Sequence, residues 1–283
     1  MSSLHQHPAQ RPAAHPAQRP AAQPAAGSSR RPVFLRALLA AEVIKLRRSM
    51  VWVFAVLLPL LSVVTGTVNY RANQGVLSSG WEAFMGQVTV FYGLFFFSVG
   101  VALVCAAVWR PEHRGSSWNA MRTTPVGAVR VAVAKTLVCL VPVAVMQLVL
   151  TAMAWASGAL VLHLDGSLPA TVLVDGALGV LAALPLVALQ SLLAMVLASF
   201  GAPVALGLLG TMVGLGLSYA GGPLVALWPS ALVTRALSLG TSALATAGTL
   251  GWGSVGEVLC GTALSGLVLW GLLVLVARSR ERR

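Results

Sequence analysis

Charged residues are scarce in this chain of 283 residues. Lys, Arg, Asp and Glu together make up 9% of it, whereas 57% of its residues are apolar and the mean hydropathy is +0.84. No water-soluble fold can hide that much apolar surface, so a soluble globular domain is excluded. The composition is typical of an integral membrane protein.

Residues and motifs that catalyse reactions or bind metals are also lacking. The three cysteines, Cys105, Cys139 and Cys260, lie in apolar runs, where they act as small hydrophobic residues rather than as a disulfide framework or metal site. HExxH, GxSxG and a glycine-rich P-loop with Lys are absent from the sequence. We therefore expect no catalytic residue, no metal, no cofactor and no ATP hydrolysis by this chain.

The basic residues are confined to a few places. Seventeen of the nineteen Lys and Arg lie in the N-terminal segment, in residues 110–135 or at the C-terminus, which leaves only Arg71 and Arg235 elsewhere. Cytoplasmic segments of membrane proteins carry such an excess of Lys and Arg. The pattern predicts a multi-pass protein of the cell membrane with both termini in the cytoplasm. It offers no basic and aromatic platform for nucleic acid, despite the net charge of +12.

Six apolar runs are long enough to cross a bilayer. They extend approximately over residues 51–69, 84–109, 131–162, 171–200, 204–219 and 255–277. The sequence therefore predicts an all-α integral membrane protein with six transmembrane helices. A tight turn over Gly201, Ala202 and Pro203 is expected between the fourth and fifth spans. The stretch from His163 to Asp175 carries no Lys or Arg, which predicts an external loop.

The chain before the first span has two parts. Residues 1–32 are rich in Pro, Ala and Gln and repeat the octapeptide HPAQRPAA, which predicts a disordered tail, whereas residues 33–283 form the six-span domain. Residues 33–50 have the pattern of an amphipathic helix that lies on membrane lipid. Glu42 falls within the apolar stripe of this helix. It is expected either to pair with Lys45 or to turn inward toward an Arg of the 110–130 loop.

Residues 110–135 form a polar island between the second and third spans. Pro111 ends the preceding helix, Gly115 begins a turn that can cap a new helix, and Pro125 closes the piece. Residues 118–122 are long enough for a short surface helix, on which Trp118 and Met121 share one face. Glu112 is expected to hold the loop against the basic start of the third span or against the N-terminal helix.

The order of residues in this island resembles the first cytoplasmic loop of type-2 ATP-binding-cassette permeases, and in particular those of lantibiotic-immunity and antibiotic-export systems. The positions that carry the resemblance are Glu112, Gly115, Trp118, Pro125 and Lys135. In that family the loop contains a coupling helix that docks on a separate ATPase subunit. The resemblance implies this role for residues 118–122, which include Met121 and Arg122, and implies that the segment around Glu42 and Lys45 flanks the contact.

Residues 220–253 are too polar for a confident span and too apolar for an ordinary loop. They predict short re-entrant or interfacial helices between the fifth and sixth spans. Glu257 follows, close to the start of the sixth span. It is expected to line a substrate path, to pair with Arg235, or to reach the lipid headgroups.

Three classes of function are compatible with these patterns. The favoured one is the permease subunit of an ATP-binding-cassette exporter. It would form a homodimer or a heterodimer with a second permease and move an amphipathic or hydrophobic substrate, with antibiotic or lantibiotic peptides as candidates. A secondary transporter is the second class, but it would normally carry intramembrane acids. A non-transporting membrane scaffold or a membrane enzyme is the third, and no motif supports it.

Overall fold

The computed structural model describes residues 35–113, 127–239, 241 and 251–282. These residues belong to one compact unit, Val33–Arg283, and those in regular structure are helical. The predicted tail over residues 1–32 lies outside the described residues. So does the predicted coupling segment with Gly115, Trp118, Met121, Arg122 and Pro125.

Nine α-helices make up the described structure, with short 3₁₀ and π segments between some of them. The helices are α1 (Leu35–Leu46), α2 (Val51–Ala72), α3 (Trp81–Phe91), α4 (Phe97–Trp109), α5 (Ala128–Ala156), α6 (Thr171–Val196), α7 (Gly201–Ala220), α8 (Pro229–Ser238) and α9 (Trp252–Arg282). The π segments are Tyr92–Phe96, between α3 and α4, and Ser157–Val161, after α5. The 3₁₀ turns are Arg110–His113 and Pro223–Ala226.

Among the described residues, six stretches are long and apolar enough to cross a membrane, as the sequence predicts. They are Val51–Ala72, Trp81–His113, Ala128–Val161, Thr171–Val196, Gly201–Ala220 and Trp252–Arg280. The shortest has 20 residues. At 1.5 Å per residue it is about 30 Å long, which matches the hydrocarbon core of a bilayer.

The turn between the fourth and fifth spans lies earlier than predicted. The fourth span ends at Val196, and α7 begins at Gly201, so Pro203 belongs to the first turn of a helix. Proline is tolerated there because the first N–H groups of a helix have no partner within the helix. The hydroxyl of Ser199 accepts a hydrogen bond from the N–H of Ala202 at 3.0 Å and so satisfies one of these groups.

A second correction concerns Asp175. The external loop was predicted to extend to Asp175, but in the structure the loop ends at Ala170. Asp175 lies inside α6, where it is buried. The apolar residues Val172, Leu173 and Val174 precede it, so the helix extends through it into the loop sequence.

The short helix α8 lies in the region predicted to hold re-entrant helices. Nine of its ten residues are buried, all except Arg235. Its hydroxyls anchor it to the spans: Thr234 Oγ1 donates to the carbonyl of Gly93 at 2.7 Å, and Ser230 Oγ donates to that of Gly210 at 3.0 Å. A membrane-embedded position for α8 stays a prediction, because burial inside the bundle does not give its depth in a bilayer.

Side-chain to backbone contacts show which helix ends lie together. His113 Nε2 lies 2.6 Å from the carbonyl oxygen of Ala194, and Arg280 donates to that of Val196 at 3.4 Å. The ends of α4, α6 and α9 therefore meet. We call this the basic end of the bundle. At the other end, which we call the opposite end, Arg71 donates to the carbonyl of Val161 at 2.8 Å.

Candidate functional site

Lys135 is the centre of a buried charged cluster at the basic end. Its Nζ lies 2.6 Å from Glu42 Oε2 and 2.9 Å from Glu112 Oε1, and only 1% of its side chain is exposed. Lys45 completes the cluster, with its Nζ 2.6 Å from Glu42 Oε1 and 4.0 Å from Glu112 Oε1. Two ammonium groups thus face two carboxylates, and the cluster has no net charge.

The position of Lys135 in the helix explains why it needs these partners. It lies two turns into α5 between Ala134 and Thr136, with both neighbours buried. A buried lysine is stable as a charged group only when carboxylates or other acceptors replace its water. Glu42 from α1 and Glu112 from the 3₁₀ turn after α4 supply them, so one side chain joins three separate elements.

Glu42 contacts two lysines, whereas each predicted alternative gave it one partner. It pairs with Lys45, as one alternative had it, and it also turns inward, as the other had it, but to Lys135 rather than to an arginine. Arg110 and Arg130, the arginines of the 110–130 loop that the structure describes, form no ion pair with it. The acid within the apolar stripe of α1 therefore faces the bundle.

The packing of α1 differs in part from an amphipathic surface helix. Leu46 is buried and Leu39 packs against the core, but Val43 and Ile44 are exposed. The charged residue Glu42 thus lies on the protein side, and apolar residues lie on the outside. A position of α1 on the membrane surface stays a prediction.

The environment of Glu42 also changes its acidity. Burial alone would raise the pKa of this carboxyl, but the charge of Lys135, together with hydrogen bonds from Lys135 and Lys45, lowers it below the usual glutamate value. Glu42 therefore remains ionised throughout the neutral range. The ion pair that joins α1 to α5 is correspondingly stable there.

Glu112 and His113 are the last described residues before the 114–126 segment, and both contact the bundle. Glu112 contacts Lys135 at the start of the third span, which is one of its two predicted alternatives, and the adjacent His113 contacts Ala194 on α6. The chain returns at Gly127, the residue before α5. Both ends of the segment are thus tied to the cluster, one through Glu112 and the other through the first two turns of α5.

A shallow pocket opens beside the cluster. It has a volume of about 180 Å³ and lies between α1 and the end of α4. Glu42, Lys45 and Arg48 line its polar side, and Val108 and Pro111 its apolar side. This surface offers both charge and apolar area to a docking partner close to the exit of the 114–126 segment.

Glu257 belongs to a different part of the molecule. Its carboxylate accepts a hydrogen bond from the Arg235 guanidinium, as one of the predicted alternatives had it. Both residues line a cavity of about 510 Å³ between α7, α8 and α9, at the opposite end of the bundle. The Glu257 side chain is 60% exposed, so it reaches into this cavity rather than into the helix packing.

Both charged clusters pair acids with lysine or arginine. Among the described residues no group of three or more His, Cys, Asp and Glu side chains is arranged to hold a metal ion. The cluster around Lys135 can hold α1, the end of α4 and the start of α5 in one fixed arrangement.

Comparison with known proteins identifies the family. A family model described as ABC-2 family transporter protein matches residues 38–214, which is more than half of the chain. The chain belongs to this family. Comparisons with curated proteins and with solved structures found no match.

Membership in the ABC-2 transporter family agrees with the predicted class of permease. A permease of this family is a membrane subunit, and ATP hydrolysis lies on a separate ATP-binding-cassette subunit. The matched residues include Glu42, Lys45, Glu112 and Lys135, whereas Arg235 and Glu257 lie beyond the match. The Lys135 cluster is therefore within the part of the permease that the family comparison covers.

Proposed function

We propose that this permease is the transmembrane subunit of an exporter and that its 114–126 segment binds the ATPase subunit on the cytoplasmic side of the cell membrane. The observation that carries the proposal is the buried Lys135 cluster. It ties three helical elements together at the two points where the segment leaves and re-enters the bundle.

A rigid base is what such a contact requires. An ATPase that closes on ATP moves a permease only if the element it grips is firmly joined to the spans. A displacement of the segment would act through Glu112 on the second span and through α5 on the third, and Lys135 links both to Glu42 on α1. Because removing one partner leaves a buried charge uncompensated, these elements are expected to move together.

The sequence of the segment itself suits a docking surface. Trp118 and Met121 are three residues apart, a spacing that would place both on one face of a short helix, and Arg114 and Arg122 flank them in the sequence. Tryptophan and arginine are the residues that most often dominate the energy of protein interfaces. We expect Trp118 to enter an apolar pocket of the ATPase and the two arginines to meet acidic groups around it.

The positive-inside rule supports the orientation. The basic end includes Lys45, Arg110, Arg130, Lys135 and Arg280, and cytoplasmic segments of membrane proteins carry this excess. With six spans, both termini lie on the same side as the 114–126 segment. The opposite end, with the Arg235–Glu257 pair, then faces outward.

Export of an amphipathic or hydrophobic substrate fits the surfaces of the bundle. Exposed Leu and Val residues cover much of α2, α7 and α9, and a dimer of this chain, or of this chain and a second permease, would enclose a largely apolar route. Glu257 would lie near the outer end of that route. Antibiotic and lantibiotic peptides are amphipathic cargoes of this kind.

Co-purification tests the docking role. The permease is produced together with a candidate ATP-binding-cassette subunit from the same organism, and the amount of ATPase recovered on the tagged permease is measured. Trp118→Ala is expected to lower recovery by at least tenfold, since truncating a buried aromatic anchor costs about 2 kcal/mol or more. Trp252→Ala is the matched control, because Trp252 is exposed at the opposite end.

Two outcomes would contradict the proposal. One is recovery of the ATPase with Trp118→Ala at the level of the unaltered permease, with unchanged ATP hydrolysis by the complex. The other is an equal loss with Trp252→Ala, because the effect would then not be specific to the 114–126 segment. Insertion of both variants is checked by size-exclusion chromatography of the tagged permease.

A further inference from the structure

A second pocket lies at the opposite end of the bundle, away from the Lys135 cluster. Its volume is about 230 Å³, and it is bounded by the start of α3, the outer half of α5, the start of α6 and the end of α8. Glu82, Gln147 and Asp175 contribute its charged and amide groups. Neither the family comparison nor the docking proposal assigns it a role.

Two buried acceptor atoms on its wall lack a protein partner. Asp175 is 7% exposed and Gln147 is 8% exposed, and both line the pocket. Asp175 Oδ1 and Gln147 Oε1 accept no hydrogen bond from any residue that the structure describes. Buried polar atoms are nearly always paired, and leaving one unpaired costs about 1–3 kcal/mol, more for a charged group. This wall is therefore suited to a ligand that donates hydrogen bonds.

The charge of the pocket favours a positively charged ligand. Asp175 and Glu82 both carry carboxylates, and among the described residues that line the pocket there is no Lys, Arg or His. Thr89 and Thr241 use their hydroxyl protons on backbone carbonyls, those of Met85 and Ser238. Beside the Gln147 amide and the Thr171 hydroxyl, the two carboxylates give the polar wall its negative charge, and a cation satisfies it better than an anion does.

Close packing brings the Gln147 side chain against Gly176, the residue after Asp175. Gly176 follows Asp175 on α6, and a Cβ at this position would lie 2.6 Å from Gln147 Nε2 and 2.9 Å from Gln147 Cγ. The absence of that carbon lets the Gln147 side chain of α5 lie directly against α6, next to Asp175. The arrangement depends on glycine at position 176, since any larger residue would push the amide away.

The size and the remaining walls select an organic cation. A water molecule occupies about 30 Å³ in the liquid, so a bare monatomic ion would fill a small part of the pocket. Met85, Val172, Leu237 and Leu239 supply apolar surface around the acceptors. We propose that this pocket binds an organic ammonium group, with the Asp175 carboxylate as its counter-ion, the Gln147 carbonyl as a second acceptor and the apolar wall against its carbon chain.

Thermal unfolding of the purified permease with small probes tests this inference without the ATPase. A ligand that binds the folded state raises the melting temperature with concentration. We expect n-pentylammonium chloride to raise it in a saturable way, and expect neither 1-pentanol nor sodium chloride at the same concentration to reproduce the effect. A rise with sodium chloride of the same size would show that a monatomic cation suffices and would overturn the proposal.

Matched variants locate the binding. Asp175→Asn keeps the shape of the side chain and removes its charge. We expect n-pentylammonium to bind to this variant at least roughly tenfold more weakly, because hydrogen bonds to an ionised acceptor are about twice as strong as those between neutral groups. Asp165→Asn is the control, since Asp165 is exposed in the neighbouring loop and does not line the pocket. Unchanged binding by Asp175→Asn, or equal weakening by Asp165→Asn, would contradict the site.

A gain-of-function variant covers the case in which Asp175→Asn fails to fold. Gln147→Glu adds a further carboxylate next to that of Asp175 at nearly the same volume, and it is expected to tighten n-pentylammonium binding. Unchanged or weaker binding by Gln147→Glu would count against the proposal. These measurements use the permease alone. A negative result would therefore contradict the ammonium site without bearing on the proposed docking of the ATPase.

Discussion

Lys135 Nζ lies 2.6 Å from Glu42 Oε2, although 93 residues separate the two along the chain. Lys135 belongs to a span, whereas Glu42 belongs to the helix that precedes the first span. The contact therefore couples the N-terminal helix to the element that follows the 114–126 segment. We expect substitutions that break this contact to lower the stability of the permease and to impair transport.

Replacement of Lys135 tests the stability of the cluster. Lys135→Met keeps much of the side-chain volume but leaves Glu42 and Glu112 as buried acids with fewer positive partners. Breaking one partner out of a buried ion pair costs about 3–5 kcal/mol. We expect a clearly lower melting temperature in detergent, measured by fluorescence-detected size exclusion after heating.

Lys45→Met is the matched control for that measurement. The Lys45 side chain is 54% exposed, and exposed ion pairs contribute about 0–1 kcal/mol. Its melting temperature should stay close to that of the unaltered permease. Equal losses for the two variants would show that burial of Lys135 does not set the strength of the cluster.

The ionisation of Glu42 predicts a dependence on pH. Its pKa in the folded protein lies below the value of an unfolded glutamate, which is about 4.3. The ionised carboxylate therefore stabilises the fold at pH values above that of the unfolded group, and this stabilisation is lost as the pH falls through the folded pKa. The stabilising effect is complete at neutral pH.

Glu42→Gln isolates this contribution. The difference in melting temperature between the unaltered permease and Glu42→Gln should be constant above about pH 5 and should shrink below about pH 4. Lys135 keeps Glu112 as a partner in this variant, so the fold should persist. A difference that grows on acidification would contradict the assigned direction of the pKa shift.

Close contact between α2 and α3 gives a third prediction. A Cβ at Gly66 would lie 2.7 Å from the Cα of Val88, and nearby Ser62 Oγ donates to the Val88 carbonyl at 2.9 Å. Gly66→Ala must separate the two helices and is expected to cost about 1–3 kcal/mol, as overpacking commonly does. Small residues have this role where membrane helices approach closely.

Gly266→Ala is the matched control for Gly66→Ala, because Gly266 also lies in a candidate membrane span. Nothing lies within 4 Å of a Cβ at Gly266 on α9, so this substitution should change the unfolding free energy by less than about 0.5 kcal/mol. The melting temperatures of the two variants in detergent measure the difference. If Gly66→Ala were as stable as Gly266→Ala, α2 and α3 would not pack as closely as described.

Topology is tested by labelling single cysteines from outside intact cells. Cysteines at Val76 and Ser167 lie in loops at the opposite end of the bundle and should react, whereas one at Ser279, at the basic end, should not. Ser167 is preferable to Gly166, whose backbone has a φ of 85° that disfavours a side chain. Cys260 is exposed and is replaced by Ser in the background. Labelling at Ser279 but not at Ser167 would reverse the orientation.

The six spans could be predicted from the sequence, whereas the contact at the centre of the cluster could not. Each span is an apolar run whose length alone fixes its type. The Glu42–Lys135 pair depends instead on how helices 93 residues apart pack. The sequence did single out Glu42, because an acid within an apolar stripe needs a partner, but it could not decide between Lys45 and the inner partner, and the structure uses both kinds.

Two predictions that were based on residue type alone were wrong in position. Glycine and proline at residues 201–203 suggest a turn, but both are acceptable in the first turn of a helix, and α7 begins there. The acid Asp175 suggests a loop, but the apolar residues before it extend α6 through that position. In both cases a residue type that is common in loops was outweighed by the helical sequence around it.

Photo-crosslinking to the ATPase subunit tests the central claim most directly. A photoreactive amino acid is placed at Met121 in the 114–126 segment or, as a control, at Ser167 in the exposed loop of the opposite end. The account predicts a covalent adduct with the ATPase from Met121 and none from Ser167. An adduct from Ser167, or none from Met121 in a complex that still hydrolyses ATP in response to substrate, would contradict it.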